Sequence, residues 1–170
     1  EAGDQFGRSV AITADGSRVV IGASFDDTLA GGNAGSASVF VRTGTSWSLE
    51  ATLLSPDAAT DDRLGQSVAI SGDGTRVLVG AHFDDAPGTN SGSAHVFTRV
   101  GTTWTHEQAF LGTAVGDQLG YAVALTADGS RALIGVRSDD TTMMNTGSVL
   151  VYRRSGATWS EETVLVAPDG

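Results

Sequence analysis

The sequence FGRSVAITADGSRVVIGA, residues 6–23, is written three times along this chain with small changes. The second copy, LGQSVAISGDGTRVLVGA, spans residues 64–81, and the third, LGYAVALTADGSRALIGV, spans residues 119–136. Self-similarity at a nearly constant period indicates an architecture built from repeated structural units. The fold therefore has to be explained one unit at a time.

The repetition extends over the whole chain. One tryptophan follows each copy at a spacing of 57 and then 55 residues, at Trp47, Trp104 and Trp159. We therefore treat residues 1–170 as a single segment of three repeats, 1–57, 58–112 and 113–170.

Each repeat contains four short apolar runs that read as β-strands. In the first repeat these are SVAIT at 9–13, RVVIGA at 18–23, GSASVFVR at 35–42 and WSLEATLL at 47–54. An Asp-Gly pair separates the first two runs, which is a strong β-hairpin signal. The sequence therefore predicts an all-β protein of antiparallel strands.

The second strands decide which all-β architecture to expect. Their central residues, VVIG, VLVG and ALIG, are apolar without alternation. Unbroken apolar runs indicate burial on both faces of a sheet, whereas the strands of a sandwich alternate. A four-stranded sheet covered on both faces by copies of itself is a propeller blade. We predict three four-stranded antiparallel blades.

Charge and composition exclude several classes of partner. The chain has 20 acidic residues and 10 basic residues, all of them arginine, with a net charge of -10. Binding of nucleic acid needs clustered positive charge, so we expect no nucleic-acid partner. No apolar run approaches the roughly 20 residues of a membrane helix, so we expect no membrane insertion.

Two motifs resemble a known family. Phe6-Gly7 followed by Gly22-Ala23 resembles the FG-GAP repeat, the blade unit of the integrin alpha-subunit propeller. The tail GSASVFVRTGTSW, residues 35–47, resembles the branch of that family found in large extracellular proteins. The chain departs from the motif at five positions: Leu64 and Leu119 replace the aromatic residue, and Ser24, His82 and Arg137 replace the proline. The resemblance implies a non-enzymatic, extracellular or cell-surface module for adhesion or protein recognition.

The integrin-type calcium loop is not preserved. Of its several carboxylates only one remains in each first hairpin, at Asp15, Asp73 and Asp128. Calcium requires six to eight oxygen ligands, so one carboxylate per loop is insufficient. We predict that these aspartates shape hairpin turns.

A second acidic feature lies between the second and third strands of each repeat. It is a pair of aspartates, and with the segments between repeats it collects twelve of the fifteen aspartates at one end of the blades. These carboxylates either brace their own loops or bind a ligand, which would be a basic protein partner or a cation such as calcium. The candidate ligand-binding residues are Asp26, Asp27, Asp84, Asp85, Asp139 and Asp140. No other cofactor is predicted.

Catalysis has no support in the sequence. His82, His95 and His106 are not repeated, and no serine lies in a nucleophile elbow. We therefore predict no enzyme. The repeated tryptophans Trp47, Trp104 and Trp159 either pack between blades or, in a carbohydrate-binding lectin, stack on sugars in pockets between blades.

Three blades leave two apolar end faces without neighbours, and large exposed apolar patches are rare on soluble monomers. The junction LLSPDAATDDRLG at 53–65 has thirteen residues, and joining LVAPDG at 165–170 to EAGDQFG at 1–7 reproduces its length and pattern. We therefore expect either a homodimer that closes a six-bladed ring or a segment of a longer propeller chain. The predicted partners are a protein ligand or another copy of the chain; a third functional alternative is a structural unit of a surface protein or filament.

Overall fold

The computed structural model describes residues 3–86, 88–139 and 146–168. Twelve strands in these ranges form three antiparallel sheets, each in the order of the sequence. The first blade contains β1 (Ser9–Ile12), β2 (Arg18–Ala23), β3 (Ser36–Thr43) and β4 (Ser46–Leu53). The second contains β5 (Leu64–Ile70), β6 (Arg76–Ala81), β7 (Ser93–Val100) and β8 (Thr103–Leu111). The third contains β9 (Leu119–Leu125), β10 (Arg131–Val136), β11 (Ser148–Ser155) and β12 (Thr158–Val166).

The predicted fold class is confirmed: the protein is all-β, with three four-stranded antiparallel propeller blades. Each observed strand lies within one or two residues of the run that predicts it in the first repeat. In the part of the chain that the structure describes, no helix is long and apolar enough to cross a membrane.

The Asp-Gly hairpins have the geometry that their sequence predicts. Gly16 has a φ of 67°, a left-handed conformation that glycine adopts at little cost. Asp15 Oδ1 accepts hydrogen bonds from the Ser17 backbone N–H at 2.9 Å and from the Thr13 hydroxyl at 2.7 Å. The hydroxyl of Thr13 and then the amide of Ser17 lower the pKa of Asp15 to about 2. The carboxylate is thus a turn brace, and Asp73 and Asp128 accept equivalent bonds.

Two hydrophobic cores hold the blades together, one at each contact between neighbours. The middle blade contributes one face to each core, which is why β6 is buried at five consecutive positions from Val77 to Ala81. The first core contains Val20, Ala37, Val39, Leu53, Leu64, Val68, Val77, Val79, Ala81 and Phe97. The second contains Ala69, Leu78, Ala94, Val96, Phe110, Leu119, Ala132, Ile134 and Val136.

The outer blades are covered on one face only. In β10, partly buried residues alternate with buried ones, and in β2 the apolar Val19 and Ile21 are likewise only partly buried. The two bare end faces expected from three blades are therefore observed, and only the middle second strand is buried on both faces. The physical reason is that a blade buries a face only where a neighbouring blade packs on it.

Backbone contact between glycines sets the distance between blades. Gly22 at the end of β2 faces Gly65 of the next blade so closely that an added Cβ would lie 2.1 Å from the Gly65 carbonyl oxygen. At the second contact the same position in β6, Gly80, would place a Cβ 1.9 Å from the carbonyl oxygen of Gly120. Gly22 and Gly80 are the glycines of the GA motif, and Gly65 and Gly120 stand where the FG motif has its glycine. Both motifs therefore lie at the blade contact.

A polar contact near the other end of the strands, away from the glycine contact, joins the same blades. The Trp104 indole N–H of the second blade donates to Glu50 of the first at 3.1 Å, and Arg18 binds the same carboxylate at 3.0 Å. Burial alone would raise the pKa of Glu50, but the hydrogen bonds from Arg18 and Trp104 outweigh it and lower that pKa below its usual value. At the second contact Trp159 donates to Glu107 at 3.0 Å.

The glycine contact leads to a prediction with an internal control. Gly80→Ala should destabilise the chain by about 3 kcal/mol or more, because the methyl group would overlap backbone that cannot move without separating two blades. Gly135→Ala changes the same strand position of the third blade, where the new Cβ would lie 3.4 Å from the nearest atom. We expect its effect to stay within about 1 kcal/mol. Denaturant unfolding of dilute, monomeric protein measures both, and equal losses would contradict this account.

The tryptophan contact gives a second prediction. Trp104→Phe should lower the free energy of unfolding by about 1–2 kcal/mol, because a buried charged acceptor loses one donor. Trp47→Phe is the matched control, since Trp47 is 42% exposed and has no preceding blade to contact. Its expected effect is below about 0.5 kcal/mol. A similar loss in both variants, measured by thermal unfolding, would show that ring size rather than the hydrogen bond matters.

Candidate functional site

The paired aspartates lie where the sequence predicts, at the end of the blades formed by the β2–β3, β6–β7 and β10–β11 loops. We call this the loop end, and the opposite end, formed by the other hairpins, the hairpin end. Asp26, Asp27, Asp84, Asp85 and Asp139 are described, whereas Asp140 lies outside the described residues. The two members of each described pair have different surroundings.

The first member of each of the first two pairs braces its own loop. The Ser36 hydroxyl donates to Asp26 Oδ2 at 2.5 Å, and the backbone N–H of Ala86 donates to Asp84 Oδ1 at 2.9 Å. Asp84 and Asp139 are buried. Burial raises the pKa of Asp84, but its polar contacts with His95, Ser93 and the Ala86 backbone N–H outweigh burial and leave that pKa below its usual value. The carboxylates of Asp26 and Asp84 therefore make most of their contacts inside the fold.

The second member of the first two pairs keeps an exposed carboxylate. Asp27 Oδ1 accepts the backbone N–H of Asn33 at 2.9 Å, and Asp85 Oδ1 accepts that of Asn90 at 2.8 Å. Each bond occupies one oxygen of a side chain that faces solvent. Asp27 and Asp85 therefore shape their loops and still present negative charge outward.

The segments between blades add carboxylates to the loop end. Asp61 accepts a hydrogen bond from the Asn33 side chain at 2.8 Å, which ties the β2–β3 loop to the segment that follows β4. Asp62 is buried, and its Oδ2 accepts the backbone N–H of Ala59 at 2.6 Å. Burial, followed by repulsion from Asp84 and other nearby carboxylates, raises the pKa of Asp62 to about 6. The loop end is thus crowded with negative charge.

Several arginines lie at the hairpin end, but glutamates offset much of their positive charge. Four arginines of this end lie within ion-pair distance of glutamates on the fourth strands, at 2.7–3.8 Å: Arg18 with Glu50, Arg76 and Arg154 with Glu107, and Arg131 with Glu162. Sequence reasoning missed these glutamates, although each follows its repeat tryptophan by three residues. The pairing neutralises much of the positive charge, so the dominant charge of the molecule is the acidic loop end.

The structure also brings together residues that are far apart in the sequence. Asp57 lies in the segment between the first two blades, Asp84 in the β6–β7 loop and His95 within β7, and one ligand atom from each lies within 4.8 Å of the other two. His106 on β8 is adjacent, with its Nε2 3.2 Å from His95 Nδ1. The sequence offers no signal for this cluster except that none of the histidines is repeated.

The candidate sugar-stacking residues have unequal surroundings. Trp104 and Trp159 are partly buried against the preceding blade through their bonds to Glu50 and Glu107. Trp47, at the same position of the first blade, borders an open apolar depression with Phe6, Val19, Ile21 and Phe40. Two of the three indole groups are thus contacts between blades.

Comparison with known proteins identifies the repeat. The FG-GAP repeat family model matches residues 1–40 and 47–97, more than half of the chain. No curated protein matches the chain. FG-GAP repeats build propeller-type recognition modules, are generally non-enzymatic and are typical of extracellular or surface proteins. On its sequence motifs, its three blades and this match, the chain belongs to the FG-GAP repeat family.

Proposed function

We propose that this chain is an extracellular, non-enzymatic propeller segment that recognises a protein partner, in adhesion or a related surface function, through its acidic loop end. The contact residues are the exposed Asp27 and Asp85, with Asp26, Asp84 and Asp139 holding the loops in shape. Asp140 belongs to the same predicted set. The single observation that supports this proposal is the segregation of charge: the exposed carboxylates of Asp27 and Asp85 lie at the loop end, whereas arginine–glutamate ion pairs lie at the hairpin end.

A basic protein surface is the partner that this charge pattern favours. Charge complementarity steers a partner to one end of the molecule and fixes its orientation. The paired arginines of the hairpin end offer no comparable attraction for an acidic partner. Calcium remains a second candidate ligand of the loop end, since exposed carboxylates of neighbouring loops supply oxygen ligands.

The two end faces support a second part of the proposal. We call the outward face of the first blade the head face; its members Phe6 and Val10 are 58% and 68% exposed, whereas the equivalent residues of the second blade, Leu64 and Val68, are 0% and 9% exposed. The outward face of the third blade, the tail face, bears Leu133, Val149 and Leu165. Each face is the apolar half of a blade contact.

The head and tail faces are complementary in their polar groups as well. At both internal contacts a tryptophan of the later blade donates to a glutamate of the earlier one. Within this chain, Trp47 on the head face has no glutamate of an earlier blade to bind. Glu162 beside the tail face likewise has no tryptophan of a later blade. A blade of the same type, docked head to tail, would bring this pair together and place Gly7 opposite Gly135.

The occupant that we propose for these faces is therefore another FG-GAP blade, which for the isolated chain is one in a second copy. Such a contact is heterologous, and two copies form a closed ring only if the rotation per blade permits it. Six blades fall within the usual four to eight of propellers. In a longer parent chain, the neighbouring blades would take the same places.

The lectin alternative is weaker because the indole N–H groups of Trp104 and Trp159 are already bound to glutamates. A stacking platform needs an accessible ring, and of the three repeated tryptophans Trp47 is exposed whereas Trp104 and Trp159 are partly buried. A purely structural role for the chain would need the end faces but no loop-end ligand.

Charge substitutions test recognition by the loop end. The double variant Asp27→Asn, Asp85→Asn keeps both loop-shaping hydrogen bonds, because the asparagine oxygen also accepts. Its affinity for an immobilised oligoarginine peptide, a probe for a basic protein surface, should fall about three- to tenfold at low salt, and binding should weaken further in high salt. Surface plasmon resonance measures both effects.

The matched control is Asp15→Asn, Asp128→Asn, which removes the same charge from the hairpin end and leaves Asn-Gly turns. We expect it to bind nearly as well as the unmodified chain. Equal losses in the two double variants would show that net charge, and not the loop end, governs binding.

Assembly is tested with one variant on each end face. Ile12→Asp on the head face and Leu165→Asp on the tail face should each keep the chain at its monomer mass of 17.3 kDa, because a charge would have to be buried at the contact. Both side chains are at least half exposed in the monomer, so folding should be preserved. The unmodified chain should sediment at twice that mass.

Mixing the two variants distinguishes head-to-tail contact from other association. The intact tail of Ile12→Asp can meet the intact head of Leu165→Asp, so the mixture should form dimers that neither variant forms alone. Val100→Asp, at an exposed position outside both faces, is the control and should associate normally. A monomeric unmodified chain at high concentration would contradict this part of the proposal and leave loop-end recognition untouched.

A further inference from the structure

The cluster of Asp57, Asp84 and His95 differs from every other part of the chain because it breaks the repeat. The position of His95 is occupied by Ser38 in the first blade and Leu150 in the third. The segment between the second and third blades is shorter and has no counterpart of Asp57, although the Pro-Asp pair that contains Asp57 recurs at Asp169, where no histidine stands at the position of His95. The propeller fold therefore requires neither residue, although Asp84 has counterparts in Asp26 and Asp139.

The burial of His95 is the first physical sign of a site. Its side chain is fully buried, and its Nε2 atom points to a group of oxygens. Ser93 Oγ lies 2.9 Å from this nitrogen, Ser55 Oγ 3.3 Å and Asp84 Oδ2 3.9 Å. A buried imidazole at a position that elsewhere carries leucine costs free energy unless its nitrogens find partners.

The Ser55 hydroxyl near His95 is already directed to a carboxylate, because Ser55 Oγ donates to Asp57 Oδ1. Its proton is therefore not available to His95 Nε2. A cation placed between this nitrogen and the surrounding oxygens would attract all of them.

The other ring nitrogen has the partner that a metal ligand needs. His95 Nδ1 lies 3.2 Å from His106 Nε2, so an Nδ1–H donated to His106 would leave the Nε2 lone pair facing Asp57 and Asp84. Metal-bound histidines usually donate their second N–H in this way, which fixes the tautomer and the ring orientation. His106 thus acts on the site through His95.

The charge around the cluster favours a cation. Asp62 and Asp85 add their carboxylates to those of Asp57 and Asp84 at the same place. Within the described residues, none of these four forms an ion pair with arginine. A divalent cation would offset this concentration of negative charge.

We propose that Asp57, Asp84 and His95 form a binding site for a divalent first-row transition-metal ion, best matched by zinc, that fastens the segment between the first two blades to the second blade. One imidazole nitrogen with two carboxylate oxygens suits zinc and its neighbours in the series, and water or a serine hydroxyl supplies the remaining position. Calcium is a poor match because it prefers six to eight oxygens.

The geometry needs a small closure that the fold can supply. Zinc bonds to nitrogen and oxygen of about 2.0–2.2 Å place neighbouring ligand atoms roughly 3.3 Å apart. The three ligand atoms lie within 4.8 Å of one another, so no pair has to approach by more than about 1.5 Å. His95 Nε2 and Asp84 Oδ2 are already 3.9 Å apart, so their side chains need only a small shift. Asp57 is exposed and lies in a segment outside the strands, so it can make the larger movement.

The test is titration of the whole chain, freed of metal by dialysis against a chelator, with zinc in a calorimeter. We expect one zinc ion per chain. His95→Leu uses the residue that the third blade has at this position, so the fold should accept it, and Asp57→Asn changes an exposed side chain with little risk to folding. Each should weaken zinc binding at least about tenfold, since loss of an outer-shell partner alone costs about that much.

The matched control is Asp139→Asn, which changes the counterpart of Asp84 in the blade where Leu150 replaces the histidine. Its zinc affinity should equal that of the unmodified chain. Cobalt provides a second readout, because its visible absorption should report a nitrogen- and oxygen-ligated site that disappears in His95→Leu. Absence of saturable binding of zinc, cobalt and manganese would overturn the proposal, as would undiminished zinc binding in both ligand variants or calcium binding as tight as that of zinc.

Discussion

The structure depends on the close approach of two backbones at each contact between blades. Gly22 meets Gly65 and Gly80 meets Gly120 at distances that leave no room for a Cβ atom. This contact sets how near the sheets can lie, and thereby whether the apolar side chains between them interlock into the two cores. Dispersion attraction between side chains decreases steeply when a gap opens between two sheets. The glycine pairs therefore determine how well each core is packed.

The same contact explains the distribution of polar groups. Once the blades are in register, a tryptophan of one blade reaches a glutamate of the preceding one at the hairpin end, and the glutamate in turn binds arginine. Much of the positive charge of that end is thereby neutralised. Asp27 and Asp85 keep exposed carboxylates at the loop end, which is therefore the acidic end of the molecule.

Departures from the repeat are the most informative feature of the sequence. A residue present in all three blades is explained by the needs of a blade, as with the hairpin aspartates and the first aspartate of each pair. His95 and Asp57 have no such explanation, since Leu150 and a shorter segment serve equally well in the third blade. Internal repetition thus provides, within one chain, a comparison that separates structural residues from candidate ligands.

The sequence by itself determined the number of blades, the four strands of each and the Asp-Gly turns between them. These features depend on local pattern: apolar runs, turn residues and their recurrence at nearly constant spacing. It also placed the paired aspartates on loops at one end, because the direction of successive antiparallel strands follows from their order. The count of three repeats also predicted two bare end faces, because burial on both faces requires two neighbouring blades and each outer blade has one in this chain.

Only the tertiary structure decided which charged groups form ion pairs and which residues contact one another. Glu50 and Trp104 lie on different blades, as do Glu107 and Trp159, and only the packing of the sheets brings them into hydrogen-bonding distance. The meeting of Asp57, Asp84 and His95 likewise requires the segment after β4 to cross the end of the second blade. Contacts between residues distant in sequence depend on the rotation and separation of whole sheets, which no local pattern of residues encodes.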